Sequence, residues 1–125
     1  MWAFFNPNPR VNRAGDCAVR AIARTLDLSW EQAYCAIVCE GFIRGEMPSA
    51  NSVWGSYLKR LGYIREMVPN TCPDCYTLAK FAEEHPKGRF VVALDGHVVA
   101  VCDGDYYDSW DSGDEVPLYY WRLKE

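Results

Sequence analysis

The sequence predicts an α+β fold in which helices come first and an antiparallel β-sheet follows. Two observations favour this class. Apolar residues recur at helical spacing in several segments before Pro86, and short β-branched apolar runs replace them after Gly88. The 125 residues have the size of one domain, and half of them are hydrophobic. Residues 1–125 are therefore predicted to form a single domain with a sizeable core.

The helical elements are predicted from stripes of apolar residues and from capping residues. In the first helix Ala18, Ile22 and Leu26 fall on one stripe, and Ser29 with Gln32 forms a capping box that opens the second. Residues 1–16, rich in Asn, Pro, Arg and Gly, predict an irregular arm. The predicted helices run from Asp16 or Cys17 to about Leu26, from Trp30 to about Glu40, from Ser52 to Leu61, and from the capping residue Thr77 to about Glu84.

The strands are predicted from apolar runs and one turn signal. Asp103-Gly104 is a strong signal for a two-residue hairpin turn, which places Cys102 opposite Asp105. The predicted strands cover Phe90 to Leu94, His97 to Cys102, Asp105 to about Trp110, and Val116 to Leu123.

Composition narrows the classes of partner. The formal net charge is −4 and the pI about 5.2, which argues against nucleic acid or an anionic membrane as the main partner. No segment approaches 18 consecutive apolar residues, and the N-terminus lacks the basic region of a signal peptide. We therefore expect a cytoplasmic protein whose six cysteines stay reduced.

The first candidate for chemistry is Cys17, which stands at the first turn of the first helix. A helix N-terminus carries partial positive charge and free N–H groups, which stabilise a thiolate and an oxyanion. The alternative is that Cys17 is a small core residue.

The second candidate is His97, at the start of an apolar strand and next to Gly96, which leaves space around the ring. The chain has two histidines, and His85 lies at the end of a predicted helix, where it suits the helix dipole. Any imidazole base is therefore predicted to be His97. The alternative is that His97 is a solvated or structural histidine.

The third candidate is the acid that orients His97. With a two-residue turn at Asp103-Gly104, Asp108 shares the face of His97 as a diagonal neighbour. A three-residue turn would shift the register by one and bring Asp111 there instead. The turn chemistry favours Asp108; the alternative is that both acids are solvated surface residues.

The order of these residues resembles the papain-like cysteine peptidases, above all the compact bacteriocin-processing (C39-like) peptidases and small phage and bacterial relatives. The matching segments are GDCAVRAIA around Cys17, GHVVAV around His97 and DGDYYDSW around Asp108. The resemblance implies a papain-like fold and hydrolysis of a peptide or isopeptide bond in a peptide or protein substrate, without a cofactor. By the same resemblance Cys17 is the nucleophile, His97 the general base and acid, and Asp108 the orienting acid.

The resemblance also implies an oxyanion-hole amide before the cysteine. Those peptidases usually have glutamine six residues before it, where this chain has Val11. Asn12, five residues before Cys17, carries the same N–H₂ donor, and the Cys17 backbone N–H would be the second donor. Two alternatives stay open: an inactive binding module on the same fold, and acyl transfer or deamidation through the same triad.

The other cysteines allow a metal-site hypothesis. Cys72 and Cys75 form a CxxC motif, and Cys35 and Cys39 lie one helical turn apart, so the four together match a Cys₄ zinc site. The apolar neighbours of Cys35 favour a buried role instead, and we predict no metal. Cys102, within an apolar strand, is predicted to lie in the core.

The aromatic residues are predicted to serve mainly as core. Trp30, Tyr34, Trp54 and Tyr57 recur at helical spacing, which favours core packing. Trp110 is predicted to lie opposite His97. It either walls the catalytic cleft or packs on the sheet, and the sequence does not separate the two.

Overall fold

The computed structural model describes residues 1–10 and 14–124 of the chain. Within these ranges it is an α+β structure with four helices, as predicted, and six strands, two more than predicted. The helices are α1 (Cys17–Leu26), α2 (Trp30–Arg44), α3 (Asn51–Arg60) and α4 (Leu78–Glu84). The strands are β1 (Trp2–Phe4), β2 (Tyr63–Met67), β3 (Arg89–Leu94), β4 (His97–Cys102), β5 (Asp105–Asp108) and β6 (Tyr119–Leu123).

The strands form one sheet in the order β1-β5-β4-β3-β6-β2. All neighbours pair antiparallel except β1, which runs parallel to β5. The expectation of a purely antiparallel, C-terminal sheet was therefore wrong, because β1 and β2 come from the helical half of the chain. Strand β1 pairs with β5 and β2 pairs with β6, so the outer backbone groups of β5 and β6 are hydrogen-bonded rather than exposed.

Helices cover both faces of the sheet. On one face α1, α2 and α3 pack around Ile22, Ile37 and Trp54, which are inaccessible to solvent or nearly so. On the other face α4 packs through Leu78 and Phe81. Because side chains alternate along β3 and β4, these strands are apolar on both faces, which explains their unbroken hydrophobic runs.

Helix α1 matches its prediction and begins at Cys17. Helix α2 opens with the predicted capping box at Ser29 but ends at Arg44, beyond the predicted Glu40. Its end is set by Gly45, which adopts φ 67° as the left-handed cap.

The hairpin between β4 and β5 has the predicted register. Asp103 and Gly104 both adopt positive φ, 49° and 91°, as a type I′ turn requires, and Cys102 pairs with Asp105. Strand β5 ends at Asp108 rather than near Trp110, so the chain leaves the sheet directly after the candidate acid.

Three sequence expectations about other segments were wrong. Trp2–Phe4 is a strand and not part of an irregular arm. Cys72 and Cys75 form a disulfide bond, so the cysteines are not all reduced. Cys35 is exposed on α2 together with Cys39, whereas Cys102 is buried as predicted.

None of the helices in residues 1–10 and 14–124 combines the length and apolar character needed to cross a bilayer.

Candidate active site

Cys17 and His97 meet where the first turn of α1 approaches the start of β4. The Cys17 side chain is partly buried, and its interaction with the His97 ring lowers the pKa of the thiol. Asp16 holds the N-cap position, yet its carboxylate does not cap the helix. Cys17 therefore lies at a helix N-terminus whose cap residue does not use its side chain to cover the first-turn N–H groups.

His97 also contacts Asp108, on the face of the sheet that the register predicted. The His97 Nε2 and Asp108 Oδ2 atoms are 2.6 Å apart. The carboxylate is almost completely buried, and it accepts hydrogen bonds from the Ser112 hydroxyl at 2.6 Å and the Ser109 N–H at 2.8 Å. Since Nε2 is taken by Asp108, Nδ1 is the ring nitrogen left for the Cys17 thiol.

Asp111, the alternative acid, does not contact His97 in the structure. It accepts hydrogen bonds from the Tyr106 hydroxyl at 2.5 Å and from the Gly113 N–H at 3.0 Å. Asp111 therefore holds the loop that follows β5. The register set by the two-residue turn places Asp108 beside His97 as the orienting acid.

The electrostatics of the pair favour separated charges. Burial alone would raise the pKa of Cys17, but hydrogen bonding to His97 and the charge of that ring lower it below its usual range. Burial alone would lower the pKa of His97, yet hydrogen bonds to Asp108 and Cys17 raise it to about 9. The thiolate–imidazolium form is therefore the one that this site stabilises.

The Asp108 carboxylate is kept ionised despite its burial. Burial opposes ionisation, but hydrogen bonds from His97 and Ser112 and the charge of His97 lower the pKa of Asp108. A permanently charged carboxylate behind the ring holds one orientation of His97 and stabilises its protonated form.

A buried arginine joins the two sides of the site. Arg20, one turn after the cysteine on α1, forms an ion pair with Asp16 and lies 3.4 Å from Asp108 Oδ1 through Nη2. Asp16 also accepts hydrogen bonds from Trp30 Nε1 at 2.8 Å and Asn8 Nδ2 at 3.2 Å. The sequence analysis missed this network; the signal available was the i, i+4 spacing of Asp16 and Arg20 on a helix face that is otherwise apolar.

A cavity of about 620 Å³ opens beside Cys17 and His97. The stacked rings of Trp30 and Tyr34, 4.9 Å apart, form one wall, and Trp54, Leu94 and other apolar side chains contribute further surface. Trp30 and Tyr34 were both predicted to be core residues: Trp30 does pack against the core while it lines this cavity, whereas Tyr34 is 46% exposed. Trp54 is fully buried, as predicted. A cavity of this size and lining suits a ligand with an apolar portion.

Trp110 lies beside the ring of His97 rather than in the sheet. Its ring centroid is 5.1 Å from that of His97, and 46% of its surface is exposed. Because β5 ends before Trp110, packing on the sheet is not the role that the structure shows, and the ring lies against His97 instead.

The predicted oxyanion donor and the zinc site considered as an alternative have different outcomes. Asn12 lies outside the described residues, and so does Val11. The disulfide engages Cys72 and Cys75, and no group of three or more His, Cys, Asp or Glu residues within 1–10 and 14–124 is arranged to hold a metal ion. Comparison with protein-family models, curated proteins and solved structures finds no match to this chain.

Proposed function

We propose that this chain is a papain-like, cysteine-dependent hydrolase that cleaves peptide or isopeptide bonds through an acyl-thioester on Cys17. The observation that supports this most is the 2.6 Å contact between His97 and the buried, ionised Asp108, together with the lowering of the Cys17 pKa by the same His97 ring. A nucleophile, a base within hydrogen-bond reach and a third group that orients the base are the elements of nucleophilic catalysis.

In the acylation step, the Cys17 thiolate attacks the carbonyl carbon of the scissile amide. An S–C bond forms and the carbonyl electron pair moves to oxygen. As the tetrahedral intermediate collapses, the C–N bond breaks and the His97 imidazolium donates its proton to the departing amine. The products are a free amine and an acyl-thioester on Cys17.

In the deacylation step, the neutral His97 ring removes a proton from water, and the hydroxide oxygen attacks the thioester carbon. The C–S bond breaks, the carboxylic acid is released, and the thiolate–imidazolium pair is restored. The Cys17 backbone N–H at the start of α1 is the proposed first oxyanion donor, and Asn12 the proposed second.

The cytoplasmic location inferred from the sequence stays a prediction, and the Cys72–Cys75 disulfide is the observation that weighs against it.

The pH dependence of alkylation by iodoacetamide tests the thiolate–imidazolium pair directly. We expect Cys17 to react well below the pH at which a free thiol of pKa about 8.5 becomes reactive, because His97 stabilises its thiolate. In the His97→Ala variant this early reaction should disappear. Mass spectrometry of tryptic peptides identifies the labelled site, and the exposed Cys35 and Cys39 serve as internal comparisons in the same sample.

The outcome separates a catalytic site from a binding module. If Cys17 is inert, or reacts with the same pH profile in wild type and in His97→Ala, the hydrolase proposal is lost and a binding role on this fold takes its place. Early reaction at Cys17 together with transfer of the acyl group to an added amine rather than to water would favour the acyltransferase alternative.

The alkaline limb of the pH–rate profile tests the roles of Asp108 and Asp111. Acyl transfer needs protonated His97, so kcat/KM in wild type should fall as pH rises through about 9, the pKa of the ring. Asp108→Asn removes the charge that raises this pKa, and the limb should move at least about one pH unit lower. Asp111→Asn is the matched control and should leave the limb in place; equal shifts in both variants would contradict the assignment of Asp108.

A further inference from the structure

A second cavity, of about 390 Å³, lies on the exposed face of α3. Three cationic side chains line it: Arg44 at the end of α2, Lys59 on α3 and Arg65 on β2. The rings of Tyr119 and Trp121 on β6 form its wall. We call this cavity the basic groove.

The charge of the basic groove is of one sign. Its lining contains no aspartate or glutamate, and none of its three cations forms an ion pair with a carboxylate among residues 1–10 and 14–124. Glu40 binds Arg60 at 3.1 Å and also feels the charge of Arg44, whereas Glu66 binds Arg122 at 2.9 Å. On a chain of net charge −4, this concentration of positive charge marks a place that attracts anions.

The groove is a rigid surface as well as a charged one. Arg65 lies over the Tyr119 ring at 5.1 Å, and Arg44 donates a hydrogen bond to the Ser56 hydroxyl at 3.1 Å. Trp121 packs directly on the α3 backbone at Gly55, where an added Cβ would lie 2.9 Å from its Cζ2 atom. These contacts hold two of the three cations and the wall of the groove in defined positions, which lowers the ordering cost of binding.

The basic groove adjoins the cavity beside Cys17. Asn51, near the start of α3, lines both cavities. Its side chain is fixed between them, since it donates a hydrogen bond to the Tyr119 hydroxyl and accepts one from Trp54 Nε1, each at 3.2 Å. The two cavities therefore adjoin at Asn51, and a single extended ligand that occupied both would cross over this residue.

We infer that the basic groove binds an acidic segment of the peptide whose amide bond Cys17 attacks. This inference rests on the proposed function, because it assigns the substrate class of the same site. Carboxylate side chains would pair with Arg44, Lys59 and Arg65 while an apolar portion of the substrate fills the cavity beside Trp30 and Tyr34. The groove thus sets substrate choice by charge and draws acidic peptides to an otherwise acidic protein.

Chloroacetyl peptides measure this preference through labelling of Cys17. The thiolate displaces chloride from the chloroacetyl carbon, so an S–C bond forms, the C–Cl bond breaks and chloride leaves. Two peptide series carry four glutamates or four glutamines, at two, four or six glycines from the reactive group. We expect the best glutamate peptide to label Cys17 about tenfold faster than its glutamine counterpart at low salt, and the ratio to approach one in 0.5 M NaCl.

Charge-matched variants assign the preference to the groove. The Lys59→Gln/Arg65→Gln variant should lose most of the tenfold ratio, whereas Lys80→Gln/Lys87→Gln, with the same change of net charge on exposed residues elsewhere, should keep it. Lys59→Glu alone, on an exposed helix position, repeats the test if the double variant unfolds. A ratio near one in wild type, or an equal loss in both double variants, overturns the inference.

Labelling by iodoacetamide, which carries no peptide, keeps the two proposals apart. Normal early alkylation of Cys17 with no preference for glutamate peptides would overturn the basic groove as a substrate site and leave the hydrolase proposal intact. Failure of the early alkylation itself would remove the hydrolase proposal, and with it the substrate assignment that rests on it.

Discussion

The His97→Ala variant is expected to lose at least about 10³-fold in kcat/KM, because in the proposed mechanism one side chain serves as the base for Cys17 and as the acid for the leaving amine. The His97 ring interacts with both Cys17 and Asp108, so its removal separates the Cys17 thiol from the Asp108 carboxylate. The measurement uses a pool of peptide aminocoumarin amides with acidic and neutral sequences and follows release of the fluorophore.

His85→Gln is the matched control for loss of an imidazole. His85 stacks on Phe81 at 3.9 Å and hydrogen-bonds to its backbone oxygen at the end of α4, on the opposite face of the sheet from α1. Its replacement should leave kcat/KM within about twofold once the folded fraction is matched by circular dichroism. Comparable losses in the two variants would show that the effect of His97→Ala is structural rather than catalytic.

The Arg20→Met variant is expected to lose about 3 to 5 kcal/mol of unfolding free energy, since it leaves the buried Asp16 carboxylate without its cation and removes one of the two cationic groups beside Asp108. The side chains of Arg20, Asp16 and Asp108 are each less than one tenth exposed. Methionine keeps much of the volume of arginine, so the loss reports the charge rather than a cavity. Urea denaturation followed by tryptophan fluorescence measures it.

Arg122→Met is the control for a surface ion pair. Arg122 binds Glu66 at 2.9 Å, but both side chains are more than a third exposed, and such pairs contribute about 0 to 1 kcal/mol. If Arg20→Met is no more destabilising than Arg122→Met, the buried network does not hold the site together. Adding Asp16→Asn to Arg20→Met should recover part of the loss, because it removes one of the uncompensated charges.

The parts of the fold that depend on local sequence were predictable. The α1 start at Cys17, the capping box at Ser29 and the turn at Asp103-Gly104 each follow from residues within a few positions of one another. The turn alone fixed the register, and with it the choice of Asp108 over Asp111, because strand side chains alternate with period two.

The parts that depend on distant partners were not predictable. Strand β1 has three residues and gains its pairing from β5, and β2 pairs with β6, so neither carries a strong signal of its own. Arg20 could not be recognised as a buried cation without knowing that Asp108 would lie beside it. The exposure of Cys35 likewise depends on which face of α2 the neighbouring helices cover.

The lowered pKa of the Cys17 thiol depends on contacts that join distant parts of the chain. Arg20 and Asp108 are separated by 88 positions in the sequence, and His97 also reaches α1 only after β4 has docked. Contacts between such distant positions form after local helices and turns. An early intermediate with α1 formed would therefore carry a thiol of ordinary reactivity. Local opening at the end of β5 in the finished protein would disarm Cys17 in the same way.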